Sequence, residues 1–152
     1  ALLREIGSTR ELAFRAAGEG TGKDLDLDVF DASYTQLVLW HKSSERVVGS
    51  YRMAWTQDVL PVSGVRGLYT STLFRFAPEF FQALGPAVEL GRSFISPEFQ
   101  KDYAPLLLLW QPLEKAAGPL AMEKMEAEAE AGEVTGEVAG VVAERAAQLR
   151  PG

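Results

Sequence analysis

The chain has 152 residues, a formal charge of −6, 47% apolar residues and 24% charged ones. That length supports one domain with a real core rather than two, and the acidic balance argues against charge-driven nucleic-acid binding. The absence of cysteine excludes disulfides, thiolate metal sites and a cysteine nucleophile, and a single His41 leaves no histidine cluster for zinc, so no metal site is expected.

Residues 2–17 place Leu3, Ile6, Leu12 and Phe14 at helical spacing, and the charges that interrupt them make the start an amphipathic helix rather than a signal peptide. Residues 18–33, GEGTGKDLDLDVFDAS, read as a long Gly- and Asp-rich loop. YTQLVLWHK and RVVGSYRMAW read as two strands joined by the turn Ser43-Ser44-Glu45, a hairpin. Residues 56–67, with Pro61 and Gly64, read as a connector. GLYTSTLF reads as a short strand and PEFFQAL as a short helix opened by Pro78. AVELGRSFIS, residues 87–96, reads as a strand that Pro97 ends. APLLLLW, residues 104–110, begins a helix or buried segment far too short to span a bilayer. A cytoplasmic location is expected, with membrane-surface association left open.

All fifteen aromatic residues lie at or before Trp110, and Ala, Glu, Val and Gly dominate the remainder of the chain. This shift divides the chain into a core-forming part, residues 1–111, and a tail, residues 112–152. Ala and Glu favour helix in the tail, although Gly132, Gly136 and Gly140 weaken it. The whole order predicts a mixed α/β domain: a largely antiparallel sheet flanked by helices, with a helical C-terminal tail.

The charged residues inside apolar strands raise the functional question. Burying a carboxylate or a guanidinium is costly unless it is paired or used. In a regular strand Glu89 and Arg92 point to opposite faces. Gly91 between them is a natural place for a bulge, which would turn both into one cleft and free backbone N–H groups able to hold an oxyanion. A structural ion pair is an equal alternative on spacing alone. Asp26, Asp28 and Asp31 in LDLDVFD read first as turn formers and helix caps; an EF-hand is excluded by the missing Gly and terminal Glu. Arg52 reads by itself as a strand-edge residue with its head in water. Thr70, Ser71 and Thr72 are strand hydroxyls without a nearby histidine, and Lys23 in GEGTGKD fails the phosphate-loop spacing.

Taken together, Arg10-x-x-x-Phe14, Asp28-x-Phe-Asp31, Gly49-x-x-Arg52 and Glu89-x-x-Arg92 occur in an order that resembles the acyl-homoserine-lactone synthases, relatives of the GNAT acyltransferases. Residues 1–111 resemble more closely the GNAT-like bacterial N-acyltransferases of the ornithine-lipid synthase, or "hemolysin-like", kind. The resemblance implies transfer of a long-chain fatty acyl group from an acyl carrier protein or CoA thioester to a small amine acceptor such as ornithine, with no tightly bound cofactor. It implies that Asp28, Asp31, Arg52, Glu89 and Arg92 line a charged cleft. In that cleft Glu89 accepts or orients the amine proton, and the backbone of Gly91, Ser93 and Phe94 polarises the thioester. Phe14 and Phe30 would wall the entrance, and Lys101 would attract a phosphopantetheine phosphate. The alternatives are a signal synthase using S-adenosylmethionine and a truncated, non-catalytic acyl- or partner-binding module.

Two departures from that family pattern matter. SPEFQKDYAPL lacks the Gly-rich phosphate turn, and Pro105 removes one N–H donor. The aromatic-free tail stands where further strands would complete the sheet. The expected consequence is a groove open on one side, with an edge that invites a second copy and a homodimer.

Overall fold

The computed structural model describes residues 1–117 and 138–145. It opens with helix α1 (Leu2–Ala16), followed by the hairpin β1 (Thr35–His41) and β2 (Arg46–Trp55). Helix α2 (Thr56–Ser63), the short α3 (Phe80–Leu84), strand β3 (Val88–Ile95), helix α4 (Ala104–Ala117) and strand β4 (Val138–Arg145) complete it. The sheet order is β3-β2-β1-β4, and every pairing is antiparallel. Among the described residues β3 is therefore an edge strand. No described helix is long and apolar enough to cross a membrane.

Strands β1 and β2 are apolar on both faces because both faces are covered. On one side Leu37, Leu39, Val48, Tyr51 and Met53 pack with Leu109 of α4. On the other, Val38, Val47 and Phe94 pack with Ile6 and Ala13 of α1. Gly49 lets β2 and β3 close up: a Cβ there would stand 2.6 Å from the Phe94 carbonyl oxygen and 2.9 Å from a Leu109 methyl.

The loop after α1 is folded back by one carboxylate. Glu11 accepts hydrogen bonds from the Thr21 hydroxyl (2.7 Å), the N–H groups of Thr21 and Gly22 (2.9 Å each) and the Arg15 guanidinium (2.7 Å). The Thr21 hydroxyl, assisted by Arg15 and those N–H groups, overcomes the opposing effect of burial and holds Glu11 at about 2.

Three expectations need correction. GLYTSTLF is not a strand but two 3-10 turns, Val65–Gly67 and Tyr69–Thr72. The N–H groups of Tyr69 and Thr70 are claimed by a carboxylate, and the Thr72 hydroxyl closes on the Tyr69 carbonyl at 2.7 Å. The connector after β2 contains helix α2, with Pro61 inside it. The predicted helical tail is helix at 112–117, the end of α4, but strand at Val138–Arg145, pairing with β1 from Thr35↔Arg145 to His41↔Val138. Three Val in that stretch suit a pleated ladder better than Ala and Glu content suggested. The new strand lies on the edge away from β3, so β3's own outer edge remains open among the described residues. Residues 118–137 and 146–152 of the predicted tail lie outside the described residues.

Two outcomes are expected from these contacts. Gly49→Ala overpacks the β2–β3–α4 junction and should destabilise by about 1–3 kcal/mol in urea titration. Because Glu11 is lowered from an ordinary 4.5 to about 2, the stability it contributes is full above pH 4.5 and is lost as the pH falls towards 2. Glu11→Gln should flatten that part of the acid-unfolding profile measured by circular dichroism.

Candidate functional site

The site is built on a carboxylate-rich turn held by a buried arginine. Asp28 caps the 3-10 turn Val29–Ala32: its Oδ1 accepts the Phe30 N–H (2.9 Å), while Asp31 accepts the Asp28 N–H (2.8 Å) in return. Arg10, wholly buried on α1, donates both Nη groups to Asp31 (3.1 and 2.8 Å) and Nε to the Asp26 carbonyl (2.9 Å). Burial pushes the Asp31 carboxyl up. The Arg10 and Asp28 N–H bonds and the charges of Arg10 and Arg52 more than offset this, so Asp31 titrates below its ordinary value.

Arg52 lies on the inner strand β2 with 1% of its side chain exposed, not at an edge with its head in water. Its Nη1 donates to Asp28 at 2.6 Å and stands 3.3 Å from Asp31. The guanidinium sits among three rings, 5.8 Å from Phe30 and 5.2 Å from both Tyr34 and Tyr69. Burial works against its charge, but Asp28 and Asp31 outweigh it, and its affinity for the proton rises.

The bulge expected near Gly91 is present. Ser50 faces Phe94 and Arg52 faces Gly91, so Arg92 and Ser93 together oppose the single residue Tyr51. The left-handed residue is Arg92, at φ 50°, rather than the glycine. With the extra residue, Glu89 and Arg92 both meet Tyr69, Glu89 at its N–H and Arg92 over its ring. Glu89 accepts the N–H groups of Tyr69 (3.0 Å) and Thr70 (2.7 Å) and a very short hydrogen bond from the Tyr34 hydroxyl. Burial, and then that bond to Glu89, raise the Tyr34 pKa, so its phenol stays protonated. Arg92 lies over Tyr69 (5.6 Å) and Phe14 (5.8 Å) and reaches Asp26 and Asp28 only at 3.6 and 3.9 Å.

Two grooves flank the bulge. One, of about 420 Å³, is lined by Phe14 of α1, Ser93, Phe94 and Ile95 of β3, and Tyr103 and Leu106 at the start of α4. The other, of about 310 Å³, lies between α3 and residues 87–90 and has Glu89 and Thr70 in its wall. Lys101 is exposed in the connection before α4 and is not among the lining residues of either groove.

Asp28, Asp31, Arg52, Glu89 and Arg92 thus converge on one cluster, with Gly91, Ser93 and Phe94 beside it. Sequence reasoning missed Tyr34 and Tyr69, which join the acid of β3 to the arginines. It also left Arg10 and Asp26 out of the cluster. Reading GLYTSTLF as a strand hid Tyr69, and nothing in the local pattern marks Tyr34 as more than a strand-opening aromatic. Arg10 had a signal: a charge on the apolar face of an amphipathic helix needs a buried partner.

Residues 9–111 match the family described as acetyltransferase (GNAT) domain. Among curated proteins, the chain is 42% identical over 108 residues to a glycine N(alpha)-acyltransferase of Bacteroides thetaiotaomicron, covering 68% of this chain and 32% of that protein. A glycine N(alpha)-acyltransferase of Phocaeicola vulgatus is also 42% identical over 108 residues, with 33% of its length covered. The chain spans about a third of the length of these curated relatives. No solved structure matches it.

The network predicts a large contrast between two arginines. Removing Arg10 strands two buried carboxylates, so Arg10→Met should cost about 3–5 kcal/mol in denaturant titration. Arg46, whose ion pair with Glu98 is exposed on both sides, should cost no more than about 1 kcal/mol as Arg46→Ala.

Proposed function

The chain belongs to the acetyltransferase (GNAT) domain family, and from that premise we propose that it moves a long-chain acyl group from a phosphopantetheine thioester to the amine of a small α-amino acid. The observation that carries the reading is the β3 bulge, which gathers Glu89, Arg92 and Tyr69 beside an open strand edge between two grooves. An extended arm with amide groups can add to such an edge as a further strand does. The name shared by the two relatives supports glycine, or a similarly small amino acid, as acceptor in place of ornithine. The thioester is carried by coenzyme A or by an acyl carrier protein, which share the same arm.

On this reading each group has a defined task. A carboxylate offers about four acceptor positions. Three on Glu89 are filled, leaving one on Oε1 for a hydrogen of the incoming amine. The amine must be neutral to attack, and Glu89 takes up or orients its proton. The nitrogen adds to the thioester carbon. Charge develops on the carbonyl oxygen, and N–H donors freed from the ladder around Gly91 to Phe94 meet it. The C–S bond then breaks, the thiolate leaves, and the amine's proton passes to it through Glu89 or solvent. Arg92 is the loosely held guanidinium, 28% exposed and paired with Asp26 and Asp28 only at 3.6 and 3.9 Å, and is therefore the anchor for the acceptor's carboxylate. Arg52, Asp28 and Asp31 fix the turn and the rings around it. Lys101, exposed next to Gln100 and Asp102 of the first groove, supplies a cation for the arm's phosphate.

Purified chain should release free thiol from palmitoyl-CoA or palmitoyl carrier protein when glycine is added, with N-palmitoylglycine detected by mass spectrometry. Glu89→Gln should lower kcat by about 10²–10⁴-fold while the far-ultraviolet circular dichroism is retained. An unchanged rate removes Glu89 from proton transfer. Donor binding without thiol release from any amino acid marks a non-catalytic acyl-binding module, and release that requires S-adenosylmethionine marks a signal synthase.

A further inference from the structure

The second groove has a chemistry of its own. Phe76, Phe80 and Phe81 form a mutual cluster with ring centroids 5.0–5.1 Å apart. With Leu84 they face Val88 and Leu90 across about 310 Å³, a volume at the lower end of small-molecule sites. Phe80, Leu84 and Leu90 keep 42%, 49% and 42% of their surface exposed, far more than a sealed core would leave.

Most polar groups in this wall are already engaged, one acceptor position on Glu89 Oε1 aside. The Thr56 hydroxyl donates to the Ala87 carbonyl (3.1 Å) and accepts the Ala87 N–H (2.9 Å). The Thr70 N–H is on Glu89, and the Glu89 carboxylate is turned to Tyr34, Tyr69 and Thr70. An apolar ligand seated against Phe76, Phe80, Phe81 and Leu84 therefore meets carbon rather than free donors or acceptors on that side of the groove. The first groove differs: Glu19, Gln100, Asp102 and the exposed Ser93 line it, which suits the amides and hydroxyl of an arm.

Each groove is also lined by three consecutive residues of β3, Val88–Leu90 in one and Ser93–Ile95 in the other. Consecutive strand residues point to opposite faces, so both grooves open on the strand's outer edge. Between them lie only Gly91 and Arg92, and beyond its two chain neighbours no residue comes within 4 Å of where a Gly91 Cβ would be. A thioester at the bulge thus has one groove on either side. The geometry points to the aromatic groove between α3 and the first half of β3 as the binding site of the donor's acyl tail, with the arm in the opposite groove. This assignment rests on the acyl-transfer reading.

The test labels the unaltered chain with a palmitoyl-CoA analogue carrying a diazirine at the end of its acyl chain. Trypsin cleaves after Arg75 and Arg92, so one peptide, residues 76–92, contains α3 and the first half of β3. Label on that peptide, removed by excess palmitoyl-CoA, is the expected result. Label on residues 11–15 or 93–115, or no competable label, overturns the assignment. Leu84→Trp, which fills the groove, should lower the kcat/KM preference for palmitoyl over butyryl donors by at least about tenfold, and an unchanged preference also overturns it. Labelling reads the tail site without turnover. Label on residues 76–92 in a chain that transfers nothing refutes the transfer reading alone, and turnover with the label elsewhere refutes the tail site alone.

Discussion

The structure depends on compensating three arginines and three aspartates, four of them out of water. Arg10 comes from α1, the aspartates from the turn after it, Arg52 from β2 and Arg92 from β3, so one network ties a helix, a loop and two strands. Each buried charge is tolerable only because its partners are in place. The compensation is uneven. Arg10 is bidentate to Asp31, whereas Arg52 Nε and Nη2 and Arg92 Nε have no hydrogen-bond partner. Donor capacity is therefore saturated at the α1 end and left over where β2 meets β3. A fold that needed only stability would gain by satisfying both ends, and the asymmetry places the unspent donors beside the bulge.

The bulge carries a second cost. A non-glycine residue in the left-handed region is strained by roughly 1–2 kcal/mol, and Arg92 holds that conformation with Gly91 next to it. Glycine at the left-handed position would relieve the strain but remove the guanidinium over Tyr69 and Phe14. Glycine one residue earlier does different work: it leaves the strand's edge uncovered. On the proposed acyl-transfer reading, the two residues divide the tasks of aiming a charge and clearing a path.

Much of this was legible in the chain because it depended on local pattern. The hairpin followed from two β-branched and aromatic runs around Ser43-Ser44-Glu45, and the bulge from charges three apart around a glycine. The misreadings share a different cause. GLYTSTLF has strand composition, but a carboxylate twenty residues downstream holds its N–H groups, and no local rule sees that partner. Arg52 looked like a solvated edge residue because its strand becomes interior only once β1 and β3 pair on either side of it. Val138–Arg145 was lost in the Ala and Glu of its surroundings, since its pleated state depends on the free side of β1 a hundred residues earlier.

The start of α4 bears on how a donor could be held. A helix N-terminus ordinarily offers free N–H groups and a positive dipole end to a phosphate. In this chain Asp102 accepts the Ala104 N–H at 3.0 Å, and Pro105 contributes no N–H. The chain's own carboxylate stands where a phosphate would compete with it, and the exposed Lys101 is the cation beside that position. If the phosphate is held weakly, affinity for a thioester has to come from elsewhere: backbone pairing along the open edge of β3, and burial of apolar tail against rings that otherwise face water. Short acyl groups supply little of the second term. Under the acyl-transfer proposal, a compromised phosphate cradle beside an aromatic groove is thus a physical argument for long-chain donors over acetyl.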